Sequence, residues 1–312
     1  MKYHLMITYI NMRTIMLYFI TIIVVTMFYS CRYCDEERSP DIAAVWKNGV
    51  RQKLTDVNYS TRANSIYVAG NDVYVAGNEG YEDLAMLWIN GVAQTLQGGK
   101  NATSVFVSGE DVYVVGFVRS SSFVPMLWKN GIEHHFTDDS GLYYPAVYVY
   151  ENNVYVAWRN KVWENEEIKY ILTGTVNSIY VFGGDIYVAG TEKGKATLWK
   201  NGVAQTLPGG SNANSVFVSN NDVYVVGGNK LWKNGIEQIL TGASGSATSV
   251  FVSGNDVYVT TEYSVLKNGR VIQNATTSEY FPSFTEYYSS IFVSNNDVYV
   301  AGDYNISMRV CD

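Results

Sequence analysis

The sequence predicts an all-β fold, and three observations carry that prediction. Near-copies of one two-hairpin unit fill residues 44–302. Each unit sets runs of β-branched and aromatic residues between Asn, Asp and Gly clusters, the pattern of short strands joined by tight turns. The two kinds of hairpin occur in equal number, seven of each, so the units can close on themselves and leave no open sheet edge. Together these predict a seven-bladed β-propeller of four-stranded antiparallel blades, closed by N- and C-terminal strands that share one blade.

The unit is clearest at 196–227. Ser215-Val-Phe-Val and Asp222-Val-Tyr-Val-Val-Gly227 flank a polar turn, and Ala196-Thr-Leu-Trp199 and Val203-Ala-Gln-Thr-Leu207 flank Lys-Asn-Gly. Asn-Gly is the strongest two-residue hairpin signal, because both central positions of a type I′ turn need positive φ. In blade order the strands are A (SVFV), B (DVYVVG), C (ATLW) and D (VAQTL). Strands A, B and C read as nearly continuous apolar runs, which implies cover on both faces, whereas D alternates with polar residues as an outer strand would.

In chain order, a cationic Met12-Arg13 precedes the apolar run 15–28 and then Tyr29-Ser30-Cys31, the layout of a secretory signal. The run is short for a membrane span of about 20 residues. Ser30-Cys31 resembles the lipobox of bacterial lipoproteins; the resemblance implies that residues 1–30 are removed, that Cys31 is lipidated, and that the chain is held at the cell envelope, on the outer membrane. Acidic residues at 35–37 look like a surface-export signal of such lipoproteins. An uncleaved anchor helix is the alternative, and Met12 is a second candidate start. Residues 31–43 read as a linker and 44–312 as the propeller.

Loss of Lys2 and Arg13 with the leader leaves 20 basic against 29 acidic residues, a net charge of −9. That balance argues against nucleic acid or an anionic lipid surface as partner. Cys34 and Cys311 lie outside the repeats, so no disulfide framework holds the blades; pairing between them requires the two chain ends to meet, which the sequence does not show.

The repeats open in mid-blade, with the C–D hairpin 44–54 and no A–B before it. Six full units follow, with A–B hairpins at 65–76, 103–116, 146–158, 177–190, 213–227 and 247–261 and C–D hairpins at 86–97, 126–137, 161–173, 197–207, 230–241 and 264–273. The A–B hairpin 290–302 comes last, so the first C–D is expected to complete the blade that it begins. A strand C supplied by 306–310 would shift that seam. The units resemble Kelch-like and related bacterial propeller repeats, with Val-Tyr-Val-x-Gly ending strand B and a Trp later in the unit. The double glycine of Kelch repeats survives only at Gly227-Gly228. Asn165-Glu166 replaces Asn-Gly in one hairpin, and Leu266 replaces Trp in another. The resemblance implies the fold and no particular activity.

Residues common to most units are explained by the blade. Trp46, Trp88, Trp128, Trp163, Trp199 and Trp232 read as inter-blade packing. Asp72, Asp111, Asp185, Asp222, Asp256 and Asp297 read as turn residues rather than calcium ligands, since one Asp per tight turn does not converge on an ion. What differs between units is functional in prospect. A–B and C–D turns emerge on one face and are uniform; B–C and D–A loops emerge on the other and vary, as a binding surface on a rigid scaffold does.

That face carries Tyr59, Arg62, Tyr81, Glu82, Arg119, Phe123, Tyr143, Tyr144, Arg159, Tyr263, Tyr280, Phe281, Phe284 and Tyr287. Aromatic rings beside a few charges suit sugar rings or protein hot spots, with covering of blade ends as the structural alternative. The long aromatic stretch 276–288 is the best single site. The expected ligand is a glycan or a protein, bound by a monomer without cofactor or metal.

Catalytic patterns are weak. His134-His135 alternate across strand D and cannot chelate one ion together. Three His in the chain support no Ser–His–Asp assignment, and the Ser-x-Asp-x-Gly-x-Thr-Trp box of sialidase-type propellers is absent. A polysaccharide-acting hydrolase or lyase using Glu82, Asp83, Glu192 or Glu262 is the competing reading, though no spacing singles out a pair. The sequons at Asn58, Asn101, Asn274 and Asn305 carry no weight in a bacterial chain.

Overall fold

The computed structural model describes residues 34–56, 59–80, 84–119, 123–136, 144–276 and 283–311, with the side chains of 34–38, 119, 283–284 and 307–311 outside that description. Every regular element among the described residues is a strand. The strands form seven antiparallel sheets, each with four in the order A-B-C-D, and the sheets stand in a ring as a seven-bladed β-propeller. Blade 1 is Thr61–Ala69, Asp72–Glu79, Leu84–Ile89 and Val92–Thr95. Blades 2 to 6 follow in chain order at 101–135, 146–171, 175–206, 215–239 and 247–274.

Blade 7 is the seam. Its strands A and B come from Ser283–Ser294 and Asp297–Cys311, and its strands C and D are Ile42–Lys47 and Val50–Lys53. Ile42 lies opposite Tyr304 and Lys47 opposite Tyr299, so the first hairpin of the repeats completes the sheet that the last one opens. Residues 306–310 do not supply a strand C. They continue strand B, and with Cys34–Arg38 they form a separate small antiparallel ladder, Arg38 opposite Ser307 and Cys34 opposite Cys311. Contacts divide the chain accordingly: residues 40–277 and 284–305 make the propeller, and the ladder belongs to a second, smaller unit.

Packing between blades follows from the run of apolar residues in strands B and C. Trp46, Trp88, Trp128, Trp163, Trp199 and Trp232 are all buried, and Leu266 fills the same place in blade 6. Trp88 of blade 1 packs with Ala43, Val45, Leu54, Tyr299 and Ala301 of blade 7; Trp232 of blade 5 packs with Tyr187, Leu198 and Leu207 of blade 4. Strand D is exposed along its whole length in three blades and mostly exposed in the other four. Strand A departs from the sequence expectation. Its burial alternates, as at Ile66, Tyr67 and Val68, because every second side chain faces the axis rather than a neighbouring blade.

The turn face is locked by one repeated device. In six blades the Asn of the C–D turn donates from Nδ2 to the Asp that begins strand B, at 2.7–2.8 Å. The same Asn accepts on Oδ1 from the next backbone N–H at 2.8–2.9 Å. These Asn sit at φ 50–53°, the left-handed conformation that a type I′ turn imposes. In five blades a Lys adds an ion pair to the Asp at 2.7–2.8 Å and lies over the strand B Tyr ring. Blade 3 changes both partners together: Asn153 replaces the Asp and takes the bond from Asn165, while Glu164 replaces the Lys and pairs with Lys169.

The glycine that ends Val-Tyr-Val-x-Gly has a steric cause. Strand A carries an extra residue between Ala63 and Ser65, and again between Ala102 and Ser104, between Val176 and Ser178 and between Ala247 and Ser249, and such bulges bend the strand. The last of these lies opposite Thr261, so glycine relieves a close approach of the two strands rather than the bulge itself. A Cβ at Gly77, Gly116, Gly190, Gly227 or Gly302 would lie 1.8–2.0 Å from a strand A carbonyl oxygen. In blade 3 the ladder begins only at Ala146, opposite Ala157, and Trp158 occupies the position instead, buried beside Trp163.

Trp128 tests the inter-blade packing. Trp128→Ala removes a fully buried ring whose Nε1 donates to the Gln97 carbonyl at 2.9 Å, and it is expected to cost about 3–5 kcal/mol, read from the denaturant midpoint of unfolding.

Candidate functional site

Two surfaces of the propeller are built from residues that differ in character from the blade interior: the axis, and the face bearing the B–C and D–A loops. At the axis, each strand A places one aromatic residue, Tyr67, Phe106, Tyr148, Tyr180, Phe217, Phe251 and Phe292 in turn. Each ring touches the next, with centroids 4.6–4.8 Å apart and interplanar angles of 47–54°, and Phe292 closes the circle on Tyr67. An angle close to one-seventh of a turn means that the ring planes stand parallel to the axis. The belt bounds a cavity of about 300 Å³ that Ile66, Ile179 and Ser249 also line. Burial drives the Tyr148 hydroxyl far above the usual phenol range, and burial likewise raises Tyr67 and Tyr180. All three are therefore neutral hydroxyls at physiological pH.

The sequence reading missed this belt. Its signal is present, because the third residue of every Ser-x-x-Val unit or its variant is Tyr or Phe. Reading strand A as covered on both faces hid it among the packing residues.

On the loop face, the position directly after the strand B glycine samples the ring once per blade. It is occupied by Asn78, Phe117, Arg159, Thr191, Gly228, Glu262 and Asp303; Asn78 and Phe117 are buried within strand B, whereas Arg159 and Gly228 turn at φ 56°. The sequence candidates fall around these positions in separate groups. Phe123 and Tyr144 come together on Phe117, at ring centroid distances of 5.1 and 6.2 Å, and Tyr144 is 60% exposed. Arg119 ends strand B directly opposite Phe123. Tyr263 and Tyr287 meet at 5.3 Å, next to Glu262. Arg159 stands apart, exposed in a tight B–C turn at φ 56°. Tyr81, Glu82, Asp83, Tyr143, Tyr280, Phe281 and Cys31 lie outside the described residues.

The base of the aromatic stretch 276–288 is held by a carboxylate that the sequence reading passed over. Glu286 is 4% exposed. Its Oε1 accepts from Arg51 at 2.9 Å and from Trp46 Nε1 at 3.3 Å, and its Oε2 from the Thr276 N–H at 2.9 Å and Tyr288 Oη at 3.3 Å. Arg51 also lies over the Tyr304 ring at 3.8 Å. Four donors and one full positive charge offset the cost of burying this carboxylate. Glu286 and Tyr288 are thus structural parts of the stretch, and Tyr287, which alternates with them, is the residue left to face outwards.

A second acidic group sits at the seam. Asp41 accepts from Asn305 at 2.9 Å and from Arg62 at 3.3 Å. Asp303, one position past the strand B glycine, is partly buried; burial, and then the Asp41 charge, push its carboxyl up to about 7, with Arg62 opposing. His134 pairs with Glu166 at 3.3 Å and His135 lies 3.9 Å from Glu133, both on the exposed strand D. Among the described residues no group of three or more His, Cys, Asp or Glu is gathered as metal ligands would be.

No protein-family model and no curated protein matches the chain. Solved structures do resemble it. The Pan2 WD40 domain of Neurospora crassa aligns at 11% identity over 77% of this chain and 74% of its own, with a TM-score of 0.44. A chain of a nidogen/laminin complex aligns at 11% over 65% and 92%, TM-score 0.42, and the computationally designed Ika4 protein at 16% over 42% and 90%, TM-score 0.32. Similarity at this level transfers neither ligand nor activity.

Asp303 provides a test with a definite sign. Its folded pKa lies above the unfolded value, so the native state keeps a proton that the unfolded chain loses between pH 4 and 7, and stability falls across that window. Asp303→Asn is expected to match the parent protein below pH 4 and to exceed it at pH 8 by up to about 4 kcal/mol, measured by chemical denaturation at both pH values. Glu286→Ala is expected to lower stability by about 2–3 kcal/mol at neutral pH, since it strands Arg51 and three further donors.

Proposed function

We propose that the protein is a binding module that recognises a glycan or a protein through the face bearing its B–C and D–A loops. One observation carries this reading: the B–C and D–A loops on that face differ from blade to blade in length and residues, while the opposite face repeats a single Asn–Asp clasp in six blades. Uniform chemistry serves the scaffold, and individual chemistry on a rigid frame serves recognition. The grouped rings Phe123, Tyr144, Tyr263 and Tyr287 supply stacking area, and Arg159 and Glu262 supply polar contacts. The leader pattern before Cys31 supports, as part of the same proposal, a module tethered at the cell envelope by a lipid on that cysteine.

The test is binding of the purified propeller to a glycan array and to immobilised envelope and host-surface extracts. Tyr144→Ala with Tyr263→Ala is expected to weaken any bound ligand at least tenfold, about 1.4 kcal/mol, while Val92→Ser on the opposite face leaves it unchanged. Equal binding by both variants would overturn the assignment of the face. Replacing the whole stretch 274–288 is unsuitable, because Glu286 and Tyr288 hold blade 7 together.

A second reading, a polysaccharide-acting enzyme, is favoured by the Asp41–Asp303 pair rather than by the loop acids. A carboxyl held protonated near neutrality beside another carboxylate is the division of labour that general acid catalysis needs. Polysaccharide turnover that Asp303→Asn abolishes would establish it; no turnover between pH 5 and 8 across a polysaccharide panel would remove it.

A further inference from the structure

We propose that Cys34 and Cys311 form a disulfide that joins the first and last described strands of the chain. Backbone register brings the two residues together. Cys34–Arg38 pairs antiparallel with the end of Asp297–Cys311, and Cys34 is the direct partner of Cys311. The alternation of the ladder fixes which kind of pair this is. Just beyond its end, the Ser39 N–H donates to the Ile306 carbonyl at 2.7 Å, so 39 and 306 occupy a hydrogen-bonded position. Counting outward along the same register, 38 and 307 fall on a non-hydrogen-bonded position, and the alternation returns 34 and 311 to that second class.

The class matters. Directly opposed residues share one face of an antiparallel ladder, and at non-hydrogen-bonded positions their Cα atoms approach to about 4.5 Å. That lies inside the window of roughly 4.4–6.8 Å that disulfides occupy. A register slip of one residue would separate the pair, so the coincidence is specific. It is also selective: the chain has only 3 cysteines, none of them within the two-hairpin repeats, and two are direct partners in this register.

The bond forms by thiol–disulfide exchange with an oxidised dithiol–disulfide oxidant. The thiolate of one cysteine attacks a sulfur of the oxidant, forming a mixed disulfide and expelling one thiol. The second cysteine then gives up its proton and displaces the remaining oxidant sulfur. The two protein thiols together lose two protons and two electrons, and the oxidant leaves as a dithiol. The chemistry requires an oxidising compartment, which the leader pattern independently supports. The ligand-binding reading is not needed for it.

The experiment is intact mass and non-reducing peptide mapping of the chain from Cys31 onward, secreted through an oxidising compartment. The expected result is a cross-linked peptide pair containing Cys34 and Cys311 and an intact mass about 2 Da below the fully reduced chain, a shift that follows from the two hydrogens lost in exchange. Cys31→Ser is expected to keep the link. Cys34→Ser with Cys311→Ser is expected to lower the melting temperature by roughly 5–10 °C, because the closed loop spans nearly the whole chain, and reductant is expected to lower the parent protein to the same value while leaving the double variant unmoved. Two free thiols at 34 and 311 after oxidative secretion, or a bond from Cys31 to either of them in the parent protein, would overturn the proposal, as would a melting temperature insensitive to reductant.

Discussion

The propeller depends on contacts between strands that never share a sheet. Neighbouring A strands exchange no backbone ladder, yet side chains tie them around the axis. In five blades the serine that begins the Ser-x-x-Val run accepts from a backbone N–H of the next blade: Ser65 from Val105, Ser104 from Val147, Ser178 from Val216, Ser215 from Val250 and Ser290 from Ile66, at 3.2–3.4 Å. The residue before it, at the bulge, donates forward to a carbonyl of that same next blade, as Asn64 does to Ala102, Asn177 to Ala213, Asn214 to Ala247 and Ser289 to Ala63. In blades 1, 2 and 4 a bulge falls at this point, and two successive polar side chains reach the neighbour from it. The aromatic belt lies two residues further on. Polar satisfaction near the axis and ring contact beside it therefore come from one short stretch of each repeat.

Most of the architecture was legible because the repeat obeys local rules that leave few alternatives. Asn-Gly at 48, 90, 130, 201, 234 and 268 dictates a hairpin wherever it occurs, and the equal count of hairpins dictates a shared blade. The register of Ile42 against Tyr304 is what that count requires. The features that stayed hidden are those for which one residue type serves two environments. Tyr67 and Val68 are both apolar, and nothing in their identity says that one looks along a channel and the other into a neighbouring blade. Position 306–310 was ambiguous for a related reason: a strand-like run says nothing about which partner it takes.

The loop face was legible only in outline. One-sided variability marks it, but the grouping of Phe123 and Tyr144 on Phe117 depends on the geometry of three separate segments. The role of Glu286 was invisible for the opposite reason. An acid between Thr285 and Tyr287 in an aromatic stretch reads as exposed, whereas the fold brings Arg51 and Trp46 to it from the other end of the chain, 235 and 240 residues away. Long-range charge pairing of this kind leaves no periodic trace in a sequence. Asp303 is similar, its carboxyl altered by Asp41 from across the seam.

Departures from the repeat gather in blade 3, which carries Asn153, Trp158, Glu164 and Glu166 where its neighbours have Asp, Gly, Lys and Gly. The same blade has Pro145 and Ala146 where the others place a hydrogen-bonding pair, and neither side chain can reach out to blade 4. The joint between these two blades therefore lacks the side-chain stitches seen between blades 4 and 5; the Val176 N–H donates to the Arg159 carbonyl at 2.8 Å, and the Tyr148 and Tyr180 rings meet across it. With two side-chain ties fewer than the joint where Asn177 and Ser178 bond to blade 5, this joint should open more readily, and amide protons along Thr175–Phe182 other than that of Val176 should exchange with solvent sooner than their counterparts in blade 5.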